Sequence, residues 1–239
     1  MPSPRAARRS VAVDTSQDTK SRILDAAEQL FMEHGFEATS LRQLTSSAAV
    51  NLAAVNYHFG SKEELFQAVL TRRLDPMNQE RIEILARLER DAGERPIACE
   101  RILAAMLVPA LRLARDERRG GKNFLRLLGR AYADPAPFIR QFLSAQYAEM
   151  IARYKEAFHR ALPHLSRQEL TWRLHFVMGA LSYTLAGTDA LKLFSQVAAV
   201  EKDNDELLIQ RLAPFLVAGL KAPALSEARK LELVTGGLS

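Results

Sequence analysis

The chain has 239 residues, 48% hydrophobic and 26% charged, so it can bury a core and is neither disordered nor collagen-like. Its single cysteine excludes an intramolecular disulfide and a thiolate-held zinc or iron–sulfur centre, which points to a reducing, cytoplasmic setting. Lys plus Arg outnumber Asp plus Glu by 33 to 28, a net charge of +5 that permits a polyanionic partner without requiring one.

At about 150 residues per domain, one or two domains are expected. The apolar runs fall short of the roughly 18 residues of a membrane span, and no signal-peptide segment opens the chain, so a soluble, intracellular protein is expected. Residues 1–17 carry Arg5, Arg8 and Arg9 without a usable hydrophobic period and read as a flexible tail. From Asp18, a plausible N-cap, Ile23, Ala26, Ala27, Leu30 and Phe31 form one apolar helical stripe that Gly35 should stop. A short second helix should start at Thr39 or Ser40 and turn Leu41 and Leu44 inward. A third, capped by Asn51, should run to about Phe59 with Val50, Val55 and Phe59 buried. Gly60 ends it, and Ser61 with Glu64 forms a capping box for the next helix.

Beyond residue 61 only helical periods occur, with no alternating β-branched stretch that would argue for a sheet. Breakers divide this part into expected helices at 62–90, kinked near Pro76, then 96–118, 122–132, 136–161, 166–187 and 204–220. Residues 225–239 read as a C-terminal tail that frays. The expected fold is all-α, with a three-helix module at 18–62 and a helical domain at 63–224.

The stretch from Thr39 to Lys62 carries the functional signal. A helix that reads DNA needs small side chains for close entry into the major groove and polar groups at its edges for phosphates. The third helix presents Asn51, Ala53, Ala54 and Asn56, followed by Tyr57 and His58, and an Asn amide can pair with an adenine edge. Taken with Phe31, Gly35-Phe36, Thr39-Ser40-Leu41-Arg42, Tyr57-His58-Phe59 and Ser61-Lys62 in this order and spacing, residues 18–65 resemble the helix-turn-helix of the TetR family of bacterial repressors. Two positions depart from the family pattern. Ala49 stands where a Gly is usual in the turn, and Asn56 stands where many members carry an aromatic residue.

The resemblance implies that Arg42, Ala53, Ala54 and Asn56 face bases, and that Ser40, Asn51, Tyr57, His58 and Lys62 hold the phosphate backbone of double-stranded DNA. It also implies a homodimer on a palindromic operator and release by a small hydrophobic or amphipathic effector, with repression as the outcome and the nucleoid as the place of binding. Residues 51–62 are particularly similar to the fatty-acid-responsive PsrA-like branch, which implies a fatty acid or acyl-CoA. An activator with a drug or aromatic effector, and a helical small-molecule carrier that does not bind DNA, are the alternatives.

Charge does not concentrate in the module, since Lys20 to Arg73 holds six basic and six acidic residues. Seven cations lie instead between Arg112 and Arg130, including Arg119 and Lys122, and could draw an anion to a pocket mouth. Candidate pocket residues are Leu103, Met106, Leu107, Phe124, Leu128, Tyr132, Phe142 and Tyr147. For the dimer interface they are Leu170, Leu174, Val177, Leu181 and Leu185 with Leu208, Leu212 and Phe215. Enzymatic readings lack support. His159 and His164 do not share a helical face, Cys99 reads as a small core residue, and no phosphate loop or nucleophile elbow occurs, so neither metal nor cofactor is expected.

Overall fold

A computed structural model describes residues 4–133, 136–185 and 205–224, with side chains described for 16–118, 120–132, 136–184 and 210–224. Every regular element among the described residues is helical: α1 (Pro4–Ala38), α2 (Leu41–Ala48), α3 (Leu52–Phe59), α4 (Lys62–Ala92), α5 (Cys99–Arg115), α6 (Gly121–Ala133), α7 (Pro137–Gln146), α8 (Ala148–Ala161), α9 (Arg167–Leu185) and α10 (Asp205–Lys221). A 3₁₀ turn, Glu117–Arg119, joins α5 to α6.

Two differences from the sequence expectation concern boundaries. Helix α1 begins at Pro4, so Asp18 lies inside it instead of capping it, and the expected tail is helical from Pro4 onward. Pro at the first helical position and the Ala and Arg that follow favour a helix, and neither Gly nor Pro interrupts residues 5–34. The single helix expected over 136–161 is two, broken at Tyr147 with φ −114° and ψ 17°. The expected tail at 225–239 lies outside the described residues.

Two hydrophobic cores are stacked along α4. The first joins Ile23, Phe31, Leu44, Val55 and Leu65 of the N-terminal helices to Phe124, Leu128 and Ile139 of α6 and α7. An aromatic cluster ties the N-terminal module to α7, with Phe36 and Phe138 centroids 4.9 Å apart and Phe31 edge-on to Phe66 at 5.0 Å. The second core gathers Leu85, Ile102, Leu103, Phe158, Leu170, Val177, Leu216 and Leu220 from α4, α5 and α8 to α10. Helix α4 contributes Leu65 to Met77 to the first core and Leu85 to the second, with Pro76 inside it.

Candidate nucleic-acid interface and internal cavity

Local chemistry fixes the N-terminal module. Gly35, at φ 81° and ψ 175°, interrupts α1 in a conformation that favours glycine, and the buried Thr39 hydroxyl donates to its carbonyl at 2.7 Å. Ser40 caps α2 by accepting from Gln43 N, while the Gln43 side chain accepts from Ser40 N at 2.8 Å. Asn51 Oδ1 accepts from Ala54 N at 2.8 Å and starts α3. Between the two helices Ala49 takes φ 51° and ψ 48°, so the turn keeps its left-handed residue although that residue has a Cβ. The guanidinium of Arg22 reaches across from α1 and donates to the carbonyls of Ala48 at 2.6 Å and Ala49 at 2.9 Å. Nothing in the local pattern around Arg22 marks it for this contact.

The expected DNA-facing residues divide by environment. Arg42, Ala53 and Asn56 are exposed on one side of the module, and Tyr57 is 82% exposed. Arg42 offers up to five N–H donors and Asn56 both an acceptor and donors. Ala54 departs from its expected place at a base edge, because it is half-buried and packs on the first core. Its position is one residue before Val55, on the flank of the helix that the core claims. Ser40 and Asn51 use their side-chain oxygens in helix caps. The Asn51 amide keeps its N–H donors for a phosphate, whereas the Ser40 hydroxyl also donates to Gln43 Oε1 at 2.7 Å, a bond that a phosphate contact would have to replace. His58 is half-buried and stands edge-on to Tyr57 at 5.0 Å. The Lys62 ammonium sits 4.3 Å from the centre of the Phe36 ring, a cation–π contact that holds it at the start of α4.

A cavity of about 430 Å³ lies at the seam between the two cores. That volume falls in the usual range for small-molecule sites, about 300–1,000 Å³. Of the expected pocket residues, Met106, Leu107, Leu128, Tyr132 and Tyr147 line it. Leu103 and Phe124 do not, since both are core residues with almost no accessible surface, and Phe142 packs beside Tyr147 outside the lining. The structure adds Arg81, Asn78, Met150, Tyr154, Phe158 and Val177, among others. Ile151, Lys155, Thr171 and His175 are exposed lining residues, so the cavity opens between α8 and α9.

Hydrogen bonds order the polar wall. Tyr147 and Asp75 are joined through the phenol at 3.0 Å, and Tyr154 donates its hydroxyl to the Arg81 carbonyl at 3.0 Å. Burial raises the pKa of Tyr147, with the Asp75 carboxylate adding to the effect. Burial also pushes Tyr154 up to about 12, against the opposing pull of the Arg81 cation. Tyr132 is raised by burial, with Arg81 again opposing. All three phenols are therefore neutral at ordinary pH.

Of the cations from Arg112 to Arg130 whose side chains are described, none lines the cavity, although Leu128 of the same stretch does, so those cations do not form the pocket mouth. Arg112 pairs with Glu80 on α4, and the side chain of Arg119 lies outside the described residues.

The expected dimer residues also need correction. Leu170, Val177 and Leu181 are buried within the subunit, and Leu174 and Leu212 pack against the same core. The side chains of Leu185 and Leu208 lie outside the described residues. The outward face of α9 instead presents Trp172, Phe176 (64% exposed) and Tyr183, and Phe215 of α10 is 69% exposed. Trp172 and Phe176 stack at 6.1 Å. Of the interface residues expected from sequence, Phe215 alone is exposed among those whose side chains are described.

Cavity and module are physically joined through α4. One turn before Pro76, Arg73 grips the buried Glu28 of α1 through two hydrogen bonds of 2.6 and 3.0 Å, and Arg72 adds a contact to the same carboxylate at 3.3 Å. One turn after Pro76, Asn78 and Arg81 face the cavity.

Residues 23–69 match the profile of the bacterial regulatory proteins of the tetR family, and residues 104–219 match the tetracyclin repressor-like C-terminal domain. Over 55 residues, 23% of this chain and 28% of the relative, the sequence is 40% identical to the HTH-type transcriptional regulator UidR of Escherichia coli strain K12. Over 103 residues, 43% of this chain and 46% of the relative, it is 34% identical to the HTH-type transcriptional repressor BepR of Brucella suis biovar 1. The chain thus spans less than half the length of these two curated relatives. Its fold is similar to the crystal structure of a candidate tetR family transcription regulator from Shewanella sp. PV-4, with a TM-score of 0.54 at 16% identity, covering 85% of this chain and 95% of that one.

Proposed function

Because this chain belongs to the TetR family of bacterial transcriptional regulators, we propose that it binds a palindromic operator as a homodimer and leaves it when a hydrophobic small molecule fills the cavity. The observation that carries this reading is the connection through α4 of an exposed Arg42–Ala53–Asn56–Tyr57 surface to a largely apolar cavity. Such a connection lets one event at the seam of the cores reorient the reading helix, the kind of rigid shift by which a ligand biases two states.

Arg42, Ala53 and Asn56 are assigned to base edges, and Ser40, Asn51, Tyr57, His58 and Lys62 to the phosphate backbone. Two copies pair through the outward aromatic face of α9 with Phe215 of α10. Dimerisation places two reading helices about 34 Å apart on one side of the duplex. Repression is the favoured outcome, and BepR, one of the matched relatives, is named a repressor. A fatty acid or acyl-CoA is the favoured effector class, supported by the likeness of residues 51–62 to the PsrA-like branch and by the apolar lining of the cavity.

Fluorescence anisotropy of a labelled operator, recovered by selection from random duplex DNA, tests the switch. Titrating dodecanoate or dodecanoyl-CoA into the complex is expected to return the anisotropy to that of free DNA. An operator complex indifferent to both would overturn the effector class.

A further inference from the structure

The cavity lining contains three cations, Arg81, Arg140 and Lys155, and no Asp or Glu. Arg140 and Lys155 are exposed and have no ion-pair partner among the described residues. Arg81 is set deeper. Its Nε donates to the Met106 carbonyl at 2.9 Å and its Nη1 to Asn78 Oδ1 at 2.8 Å, with the Tyr132 hydroxyl also in contact. These neutral acceptors fix the guanidinium and leave part of its fork uncommitted. No carboxylate lies within 4.0 Å of it among the described residues.

A cation partly withdrawn from water without an anion is costly, and a planar guanidinium held by neutral groups is preorganised for two-point recognition of a carboxylate. Much of the remaining wall is apolar and includes Leu107, Leu128, Leu143, Phe158, Val177 and Leu181. We propose that the cavity binds a free carboxylate amphiphile, with the carboxylate on Arg81 and the hydrocarbon chain against that wall. This rests on the cavity being the effector site and narrows the effector to the free acid, since a thioester has no carboxylate at the end of its acyl chain to pair with Arg81.

Calorimetric titration of the full chain with dodecanoate, dodecanol and dodecanoyl-CoA tests the assignment, alongside Arg81→Met and Arg81→Lys. The wild type is expected to bind dodecanoate about tenfold or more tightly than dodecanol, from the usual strength of a charge-assisted pair. Arg81→Met should erase that preference while leaving dodecanol affinity within about twofold, and Arg81→Lys should restore part of it. Thermal melts of each variant report folding, and the carboxylate-to-alcohol comparison in the wild type decides even if a variant fails to fold. Equal affinity for acid and alcohol, or tighter binding of the CoA thioester, would overturn the role of Arg81 and leave the effector site standing. Binding of none of the three probes would overturn both.

Discussion

Arg22 on α1 donates a 2.9 Å hydrogen bond to the carbonyl of Ala49, the sole non-glycine residue with positive φ among the described residues. A second bond from the same guanidinium, to Ala48, makes it a latch between the first helix and the turn that presents the third. A left-handed alanine is strained, and the latch holds its two flanking peptide groups in place. Replacing Ala49 with Gly should remove the strain and stabilise the fold by about 1 kcal/mol, partly offset by the greater freedom of glycine in the unfolded chain. Urea denaturation of wild type and variant measures it. A destabilised Ala49→Gly variant would mean that the turn does not keep its left-handed residue.

Arg22→Met should act in the opposite direction. It removes two hydrogen bonds to peptide carbonyls while keeping the aliphatic stem, at a cost of about 1–3 kcal/mol, and it loosens the angle between α2 and α3. DNA affinity should then fall although Arg22 contacts no base. Unchanged operator affinity at unchanged temperature of melting would contradict the latch.

Arg42 and Lys62 should fail in different ways when truncated. Arg42→Ala is expected to cost about 1–3 kcal/mol and to relax preference at one base pair, whereas Lys62→Ala weakens all sequences alike and lowers the salt slope by about one. Lys62→Ala also removes the cation over Phe36. Matched and mismatched duplexes titrated over a salt series separate the two. Uniform weakening by Arg42→Ala would reassign that residue to the backbone.

Alkaline pH should weaken the fold through the phenols of the cavity wall. Tyr154 titrates near 10 in an unfolded chain and is pushed up to about 12 by burial in the fold. The unfolded state therefore loses its proton first. The contribution of the neutral phenol is complete below pH 10 and is lost as pH rises toward 12. Tyr154→Phe should flatten that part of the stability profile, at the expense of the bond to the Arg81 carbonyl. An identical slope between pH 10 and 12 in the variant would contradict the assignment.

Caps were the most legible part of the sequence. Ser40, Asn51 and Ser61 each sit before a helix whose first orphan N–H groups their side chains accept, so local chemistry alone predicts three of the starts. The break at Tyr147 has no such signature, since its phenol is held by Asp75 of α4, 72 residues earlier in the chain. Helix α9 misled for a related reason. It is apolar around most of its circumference, so periodicity could not choose between the leucines that face the core and the Trp172–Phe176–Tyr183 face that does not. Arg81 reads in sequence as one charge among many on α4, and its isolation from carboxylates arises only when α5 to α9 close around it. The cations between Arg112 and Arg130 are dense in the sequence, but density along the chain does not set which side of a helix meets the cavity.

The outward face of α9 gives a prediction for assembly. Phe176→Glu, placed on an exposed aromatic patch, should leave the subunit folded and shift the sedimentation of the protein from dimer to monomer. A dimer that survives Phe176→Glu, or a wild type that sediments as a monomer at micromolar concentration, would contradict pairing through this face.

Selection of random duplex DNA by the full chain is the sharpest test of sequence-specific operator binding through the Arg42–Asn56 surface. The expected result is enrichment of an inverted repeat by the wild type, with Asn56→Ala losing the preference at one position of each half-site while keeping salt-sensitive binding. Recovery of unenriched DNA by the wild type, or of the same half-site with equal preference by Asn56→Ala, would contradict it.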